Sequence, residues 1–559
     1  MKCLHNLVPV GMFFSLFLFV CSCKNSGKPP EKDIVSNEEQ LDERVSKDLK
    51  KTLDYAEKNH AQINDSTTLA SFRLVNAVYD ERKYQSIWSQ KDGFESMADS
   101  LYLVVEHAKE WGLFPEDYHY KSLQGVWSRL KKDSASQKDA ALWTKADVLL
   151  TEAYFTIARH LKLGRLSPDS VTLKKDSIYN DAFFIKNFNE ATSKSTVINT
   201  LQNLEPKYPG YQRIKSGIKS FLDSANFKPY TYIIYPYKDS LQFITSLRKR
   251  LAEDGFLPNG ATTMDSATLA GGIQSYQRNK NLTATGKITE SLIRVLNNTD
   301  WEKFKTVAVT LDRYKLLPDT IPATYVLVNL PAYTLYVYDE DTLALQSRVI
   351  VGSPRTKTPL LNSAISNFIT YPQWTVPYSI IFKEMLPRIQ RNISYLERQN
   401  LMVVNGSDEV VDPYKIDWSK LNSKHFPYLI RQREGDDNSL GVIKFNFRNK
   451  YSVYLHDTNV RWQFNRAARA ISHGCVRVER WEELSHFLVR ADTVRFPPDT
   501  LRAWMSRQEK HMVTGFPKVP LFIRYLTTDG KDGKLVFYSD IYGYDRQLKE
   551  KYFSGKQIS

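Results

Sequence analysis

The sequence predicts a multidomain protein of the α+β class, with a mainly helical N-terminal part followed by a mostly β part that carries a helical insertion. Three observations predict this class. The chain has 559 residues, which is more than one hydrophobic core supports. Apolar residues recur at helical spacing from about residue 51 to residue 298. From residue 320 onward, apolar and polar residues alternate as they do in half-buried strands.

The N-terminus predicts export. Lys2 precedes the apolar run LVPVGMFFSLFLFV, which has the length of a signal peptide, whereas a spanning helix needs about 20 apolar residues with suitable flanks. Small residues then stand before Cys23 in VCSC. This ending resembles a bacterial lipobox, and the resemblance implies that residues 1–23 are a lipoprotein signal and that Cys23 carries the lipid. An ordinary cleaved signal or a short anchor is the alternative.

The cysteines single out one candidate reactive residue. The chain has four cysteines. Cys3 and Cys21 would leave with the signal, and Cys23 would carry lipid. Cys475 is then the free thiol of an exported protein, a setting in which cysteines are usually paired. Since no partner remains for a structural disulfide, Cys475 is a candidate for chemistry.

The N-terminal part divides into three segments. Residues 24–50 are polar and of mixed charge, which indicates a flexible tether. Residues 51–230 contain amphipathic runs that end at glycine with proline beyond, which predicts a helical domain. Residues 231–298 predict a smaller unit of three helices.

The C-terminal part is predicted to be one β domain with additions. Residues 320–500 contain the alternating segments TYVLVN, TLYVYD, LALQSRVIVG, GVIKFNF and YSVYLHDT. Residues 381–428 interrupt them with a helical pattern, which we interpret as a cap inserted in the domain. Residues 501–559 predict an extension that forms a β-hairpin packed on this domain.

The net charge of the chain indicates which kinds of binding partner to expect. The formal net charge is +15, which favours anionic partners through long-range fields. The sequence shows neither zinc-finger spacing nor a basic stripe interleaved with aromatic residues, so nucleic acid is not an expected partner. Acidic lipid and an anionic cell-wall polymer remain.

The residues around Cys475 predict a nucleophile and its base. Tyr454 and His456 lie on one face of the strand YSVYLHDT because alternate residues share a face. The motif SHGCVR follows, with Cys475 at its centre. A free thiol ionises near ~8.5, so it needs a base to act as a nucleophile at neutral pH. The imidazole of His456 can take its proton.

The neighbours of Cys475 predict stabilisation and binding of a substrate. Gly474 allows a turn and a close backbone approach. The backbone N–H groups of His473, Gly474 and Cys475 can converge on an oxyanion, and each such donor is worth roughly 3 kcal/mol in other enzymes. Arg477 suits bidentate binding of a carboxylate.

These residues resemble the L,D-transpeptidase family. Its signature is a histidine, about fifteen residues and then Ser-His-Gly-Cys-x-Arg, which here reads His456, fifteen residues and Ser472 to Arg477. Supporting matches are VIVGSPRTKTP, YPQWTVPYSI, LIRQREGDDNSLGVIKF, YLHDT and the tail DGKLVFYSDIYGYD. Together they resemble the large, multidomain periplasmic members over nearly the whole exported chain, with the helical part 51–230 as a scaffold domain.

Residues 231–298 resemble a small peptidoglycan-binding domain. Tyr276-Gln277, Asn281-Leu282, Gly286 and Thr289 occupy the places of its FQ…GL…G…T core. Asn281 and the pair Gly271-Gly272 depart from its usual residues. A helical spacer between neighbouring domains is the alternative.

The family resemblance implies a mechanism and a location. Cys475 would attack the bond after the third residue of a tetrapeptide stem, releasing D-Ala, and a second stem would resolve the thioester into a 3→3 cross-link. His456 would be the base, oriented by the backbone carbonyl of Asp457, and His473 with Gly474 would shape the oxyanion site. The candidates for substrate binding are Tyr454, Trp374, Ser472 and Arg477. The resemblance implies no cofactor and no metal. It implies a periplasmic lipoprotein of a Gram-negative-type bacterium, supplied by peptidoglycan synthases and carboxypeptidases.

Several alternatives stay open from sequence. Water as acceptor would make the protein an L,D-carboxypeptidase or endopeptidase, and loss of catalysis would leave a wall-binding scaffold. Zinc binding by His456, His473 and Cys475 lacks a fourth ligand, and an inert buried cysteine is the remaining structural reading. Trp374 is also compatible with a plain core position, and Arg477 with pairing to Glu479 or Glu482.

Overall fold

The computed structural model describes residues 27–91, 93–169, 171–172, 176–260, 265–320 and 322–554. The predicted signal and the lipid-carrying Cys23 lie outside the described residues. No helix in the described ranges is long and apolar enough to cross a membrane.

The N-terminal part is helical, with two short hairpins. Its strands β1 (Gln62–Asn64) and β2 (Thr67–Thr68) pair with each other, as do β3 (Ser89–Gln90) and β4 (Gly93–Phe94). The helices are α1 (Leu41–Lys58), α2 (Phe72–Glu81), α3 (Ser96–Glu106), α4 (Tyr120–Lys132), α5 (Ser134–Gln137), α6 (Ala140–Lys162), α7 (Asp181–Ser193), α8 (Val197–Gln202) and α9 (Pro209–Ser224).

The predicted tether 24–50 is wrong in its second half, because α1 begins at Leu41. Leu41, Val45 and Leu49 are buried at four-residue spacing along α1. Among the charged residues between them, Asp42, Glu43, Arg44 and Lys47 are exposed on the solvent face, whereas Asp48 is buried. Their number lowers the average hydropathy of the segment and conceals an amphipathic helix.

The first compact unit comprises the described residues up to 103, together with 118–156 and 184–197. A buried carboxylate organises its core. Asp147 of α6 accepts hydrogen bonds from the Tyr79 and Ser86 hydroxyls and from the backbone N–H groups of Ile87 and Trp88. Burial raises the pKa of Asp147, and these donors oppose the rise. The carboxylate thereby fixes the connection between α2 and β3 against α6.

The second compact unit contains residues 104–117, 157–183 and the described residues from 198 onward. After α9, this unit continues with α10 (Ser240–Glu253), α11 (Ser266–Asn279), α12 (Glu290–Leu296) and α13 (Asp300–Tyr314). The first three of these helices share a small core that includes Leu247, Ile273 and Leu292. Gln277 accepts a hydrogen bond from the Gly286 N–H at 2.9 Å and fixes the loop before α12.

The C-terminal part of the second unit is mostly β. Its strands are β5 (Thr324–Asn329), β6 (Thr334–Asp339), β7 (Thr342–Gly352), β8 (Leu361–Thr370), β9 (Trp374–Thr375), β10 (Leu401–Val404), β11 (Val410–Val411), β12 (Leu429–Gln432), β13 (Ile443–Phe447), β14 (Leu455–His456), β15 (Ala470–Ser472), β16 (Val476–Val478), β17 (Met512–Val513), β18 (Val519–Arg524), β19 (Thr528–Lys531) and β20 (Lys534–Phe537). Its helices are α14 (Tyr378–Ile380), α15 (Leu386–Arg391), α16 (Tyr395–Arg398), α17 (Trp481–Val489), α18 (Pro498–Ser506) and α19 (Tyr544–Phe553). Together with the helical N-terminal part, this arrangement confirms the predicted α+β class.

The main sheet closes on itself. Its strands follow the order β13, β14, β16, β7, β6, β5, β18, β8, and β8 pairs in turn with β13. Alternate residues fill the interior, including Val326, Val337, Phe368, Phe445 and Ile523. The sheet thereby surrounds a continuous core and supports the candidate site on its outer face.

The extension after residue 500 differs from the prediction. It contains the hairpin β19–β20, but β18 lies inside the main sheet, parallel to β5 and antiparallel to β8. Leu521 is paired with Val326. Pairing with a strand as distant along the chain as β5 does not change the local pattern of apolar residues. The sequence alone therefore predicted only a hairpin for this segment.

The cap predicted at 381–428 is not purely helical. A π-helical turn, Ile381–Met385, joins α14 to α15. The strands β10 and β11, which come next along the chain, form a small sheet with β12 and β9 in the order β11, β10, β12, β9. Leu401–Val404, predicted to continue a helix, forms the central strand β10 because its β-branched and apolar residues pack against Ile430 and Trp418.

Candidate active site

The pairing of three strands places the predicted residues on one face of the sheet. Strand β14 lies between β13 and β16, with His456 opposite Lys444 on one side and opposite Arg477 on the other. These three residues therefore form one cross-strand row. Tyr454 and Cys475 form the next row, where the Val476 N–H donates to the Tyr454 carbonyl at 3.1 Å. Paired residues project to the same side of a sheet, so all five side chains share the face opposite the core.

The Cys475 thiol is held in its neutral form. Burial raises the pKa of Cys475, while hydrogen bonds from Tyr454 and the charges of Lys444 and Arg477 lower it and only partly offset the rise. The thiol is half-buried beneath its neighbours. The resting nucleophile is therefore a protonated thiol that a base has to activate.

His456 is held neutral too. Burial, Arg477 and Lys444 together lower its pKa to about 3, against backbone groups of Asp457 and Leu440 that favour the charged ring. Its Nδ1 makes no hydrogen bond of ordinary geometry with the described residues. At neutral pH the His456 ring is therefore uncharged, and the positive charges of Lys444 and Arg477 disfavour its protonation.

Ser472 shapes the turn that carries the thiol. Its hydroxyl donates to the Cys475 carbonyl at 2.7 Å and accepts from the Gly474 N–H at 3.1 Å. Ser472 is buried, so its hydroxyl is engaged within the turn and not toward a ligand. Gly474 has φ +124°, a conformation that favours glycine.

Of the three backbone N–H groups predicted to bind an oxyanion, two are available. The Gly474 N–H is occupied by Ser472. Among the hydrogen bonds of the described residues, none uses the N–H of His473 or of Cys475. These two groups remain available to a developing charge.

A neighbouring loop supports the same turn. The Ser353 N–H and the Thr356 hydroxyl both donate to the Ser472 carbonyl, at 2.9 and 2.8 Å. The Thr358 hydroxyl donates to the Gly474 carbonyl at 2.8 Å. The motif VGSPRTKTP thus positions the nucleophile through three hydrogen bonds.

Tyr542, which the sequence did not suggest, supports this loop in turn. Its hydroxyl donates to the Gly352 carbonyl at 2.6 Å and accepts from the Thr358 N–H at 3.2 Å. Tyr542 follows the hairpin β19–β20 and lies in the tail segment DGKLVFYSDIYGYD, but nothing in that segment singled it out as a residue near the site.

The cap contacts the motif through one further residue that sequence reasoning missed. The Glu384 carboxylate lies 2.8 Å from the His473 Nε2. Glu384 belongs to the π-helical turn of the cap, a rare geometry that is frequent at functional sites.

Asp457 has a structural side chain. Its buried carboxylate pairs with Arg461 and accepts from the Val442 N–H at 3.1 Å. Gly441 packs directly on it, because a Cβ there would lie 2.2 Å from the carboxylate oxygen. The carboxylate therefore anchors the start of β13, beside the site.

Trp374 and Arg477 both reach the face. Trp374 is half-buried and packs on the core of the cap, and its indole opposes the rise that burial causes in the pKa of Tyr454. The Arg477 Nη1 donates to the Gln463 Oε1 at 2.9 Å, and its buried Nε has no partner among the described residues. Glu479 pairs instead with Arg348 and Glu482 with Arg502.

Lys444 is the third residue that sequence reasoning missed. It stands between the buried Ile443 and Phe445 and so points to the outer face. Its Nζ lies 4.2 Å from the centroid of the Tyr454 ring. The alternation of IKFNF would have placed it on the face of His456, had the pairing of the strands been known.

Within the described residues, no group of three or more His, Cys, Asp or Glu side chains could hold a metal ion.

The neutral thiol predicts slow alkylation at neutral pH. Cys475 is the only cysteine of residues 24–559, so iodoacetamide reports on it alone. Because the pKa of Cys475 is raised, the thiolate fraction is smaller than that of an exposed thiol at every pH. We expect the rate constant to rise continuously from pH 6 to above pH 9 and to stay below that of N-acetylcysteine. A plateau at or below pH 7, typical of a thiolate–imidazolium pair, would contradict this.

Comparison with known proteins identifies two regions of the chain. Residues 323–496 match the model of the L,D-transpeptidase catalytic domain, and residues 73–217 match that of the Scaffold domain. A curated protein of Haemophilus influenzae, named "Putative L,D-transpeptidase", is 36% identical over 251 residues, which cover 43% of this chain and 48% of that protein. The chain therefore spans about half the length of the curated relative that it matches.

Solved structures are similar to part of the chain. The catalytic domain of an Enterococcus faecium L,D-transpeptidase, acylated by ertapenem, is 11% identical, with 37% of this chain and 99% of that chain covered and a TM-score of 0.18. Mycobacterium tuberculosis L,D-transpeptidase 1 is 14% identical, with 37% and 64% covered and a TM-score of 0.14. These TM-scores are too low to support a conclusion about the fold of this chain. The family models and the curated relative agree with the motif and its geometry: residues 323–496 are an L,D-transpeptidase catalytic domain, which this chain joins to an N-terminal Scaffold domain.

Proposed function

We propose that the protein is an L,D-transpeptidase that forms 3→3 cross-links in peptidoglycan through a thioester on Cys475. The observation that carries this proposal is the placement of Cys475 and His456 in adjacent cross-strand rows on the outer face of the main sheet, opposite its core. The catalytic domain supports peptidoglycan as the substrate.

In the first half-reaction, the Cys475 sulfur attacks the carbonyl carbon of the third residue of the donor stem. His456 takes the thiol proton as the new S–C bond forms. The N–H groups of His473 and Cys475 stabilise the tetrahedral oxyanion. The C–N bond to D-Ala then breaks, and His456 returns the proton to the leaving amine.

In the second half-reaction, the side-chain amine of another stem attacks the thioester. A new C–N bond forms, the C–S bond breaks, and His456 carries a proton from the amine to the sulfur. The neutral resting imidazole can accept a proton in each half-reaction, because one of its ring nitrogens is unprotonated before the reaction. The cap would then cover the donor and limit the access of water, the competing acceptor.

The remaining predictions extend this proposal to the whole chain. The protein would be exported, processed at Cys23 and held at a membrane of a Gram-negative-type envelope by its lipid. Residues 231–298 would place the catalytic domain at the wall, and synthases and carboxypeptidases would supply its tetrapeptide stems. Carbapenems would acylate Cys475, which a mass adduct on the peptide that contains it would show.

The test is incubation of residues 24–559 with disaccharide-tetrapeptide and analysis of the products by mass spectrometry. We expect a dimer lighter than two monomers by one D-Ala and linked 3→3 in its fragment spectrum. Tripeptide alone would assign hydrolysis instead. Unchanged substrate, from protein that is folded by circular dichroism, would favour a wall-binding scaffold.

A further inference from the structure

We infer that Lys444 is a second substrate-binding cation, which together with Arg477 holds the terminal carboxylate of the donor's D-Ala. The inference rests on the proposed function and adds to it a residue and the chemical group that the residue recognises.

The first support is the position of Lys444 in the sheet. His456 is flanked in its cross-strand row by Lys444 on β13 and by Arg477 on β16. Adjacent strands lie about 4.8 Å apart, so both long side chains reach the space over the imidazole. The Lys444 ammonium lies over the Tyr454 ring, which directs it toward the row of Cys475.

The second support is the lack of a carboxylate for either cation. Burial lowers the pKa of both Lys444 and Arg477, and among the described ionisable groups only Cys475 opposes this. No described Asp or Glu lies within ion-pair distance of Lys444 or Arg477, although Arg477 hydrogen-bonds to Gln463. Two partly buried cations with no anion cost free energy, which an incoming carboxylate repays.

The third support is the chemistry of the leaving group. His456 has to protonate the amine of D-Ala as the C–N bond breaks. One carbon separates that amine from the terminal carboxylate, so the carboxylate must lie beside His456. The cations in its row are Lys444 and Arg477.

Binding of the donor would also change the proton affinity of His456. Both cations disfavour a proton on His456 while no substrate is bound. A carboxylate between them cancels part of this field, so the pKa of His456 rises once the donor is bound and the ring becomes a stronger base. The same carboxylate removes part of the charge that lowers the pKa of Cys475.

The test compares a donor with its C-terminal amide. We would measure kcat/KM for disaccharide-tetrapeptide and for the same molecule amidated at D-Ala, with wild type, Lys444→Met and Lys444→Arg. Lys450→Met is the matched control, because the exposed Lys450 also lies over a tyrosine, with its Nζ 5.3 Å from the Tyr451 ring centroid.

We expect Lys444→Met to lower kcat/KM for the acid about tenfold or more and to leave the amide nearly unchanged, since a hydrogen bond to a charged group is lost. Lys444→Arg should retain most of the preference for the acid, and Lys450→Met should match wild type. A Lys444→Met protein that keeps the wild-type preference, or that loses acid and amide turnover equally, would overturn the inference.

A second measurement separates this inference from the proposed function. The rate of Cys475 alkylation by iodoacetamide is measured with N-acetyl-D-alanine or its amide present. We expect the acid alone to change the rate in wild type, and neither compound to change it in Lys444→Met. If wild type forms no cross-link but shows this response, the proposed function fails and the carboxylate site stands. If the acid has no effect on wild type, the inference fails whatever the products are.

Discussion

Cys475→Ala is expected to lower the rate of cross-link formation by roughly 10⁴-fold or more, because no other group of the described face can form the thioester. Cys475 stands in a turn fixed by the Ser472 hydroxyl and by the loop that follows Gly352. None of these contacts uses the sulfur. The variant should therefore fold and bind the donor while it releases no D-Ala.

The measurement is the amount of 3→3 dimer and of free D-Ala formed by equal concentrations of wild type and variant. His456→Gln should cost nearly as much, and the double variant should be little worse than either single one, since nucleophile and base act as a unit. A Cys475→Ala protein with full cross-linking activity would remove the nucleophile assignment. Losses that multiply in the double variant would show that His456 acts independently of the thiol.

Gly352→Ala is expected to lower kcat/KM by about 10²-fold, the scale of a 1 Å misplacement of reacting groups. A Cβ on Gly352 would lie 2.1 Å from the Thr356 carbonyl oxygen and 2.6 Å from the Thr358 nitrogen. Because both contacts are with backbone, the loop has to move. Its three hydrogen bonds to the Ser472 and Gly474 carbonyls then lengthen or break.

Gly406→Ala is the matched control, because a Cβ at Gly406 meets nothing within 4 Å. The two variants would be compared in kcat/KM and in thermal unfolding. We expect Gly406→Ala to resemble wild type in both, and Gly352→Ala to lose activity with only a small fall in Tm. Equal activity of Gly352→Ala and wild type would show that this loop does not set the position of the thiol.

Local patterns predicted many elements of the fold but not their long-range pairing. Helical spacing and strand alternation predicted the α+β class, which is confirmed. The same reasoning placed the segment that forms β18 in a peripheral hairpin, because pairing with β5 leaves no trace in either strand. It also predicted a tether over the start of α1, where charged residues mask the apolar positions.

The residues of the candidate site were likewise predicted only in part. Cys475 and His456 were predicted because they stand in one recognisable motif. Lys444, Glu384 and Tyr542 stand on other elements, and only the tertiary fold brings them to that motif. The motif names the reacting atoms, whereas the groups that set their charge and position come from residues scattered along the chain.

The interior position of β18 orders the events of biosynthesis. The strands that carry His456 and Cys475 are translated before β18. Until it arrives, β5 and β8 each expose an unpaired edge. Tyr542, which braces the loop beneath the nucleophile, is translated later still. A chain shortened before β18 would therefore lack both the strand that completes the main sheet and the tyrosine that braces the loop beneath the thiol.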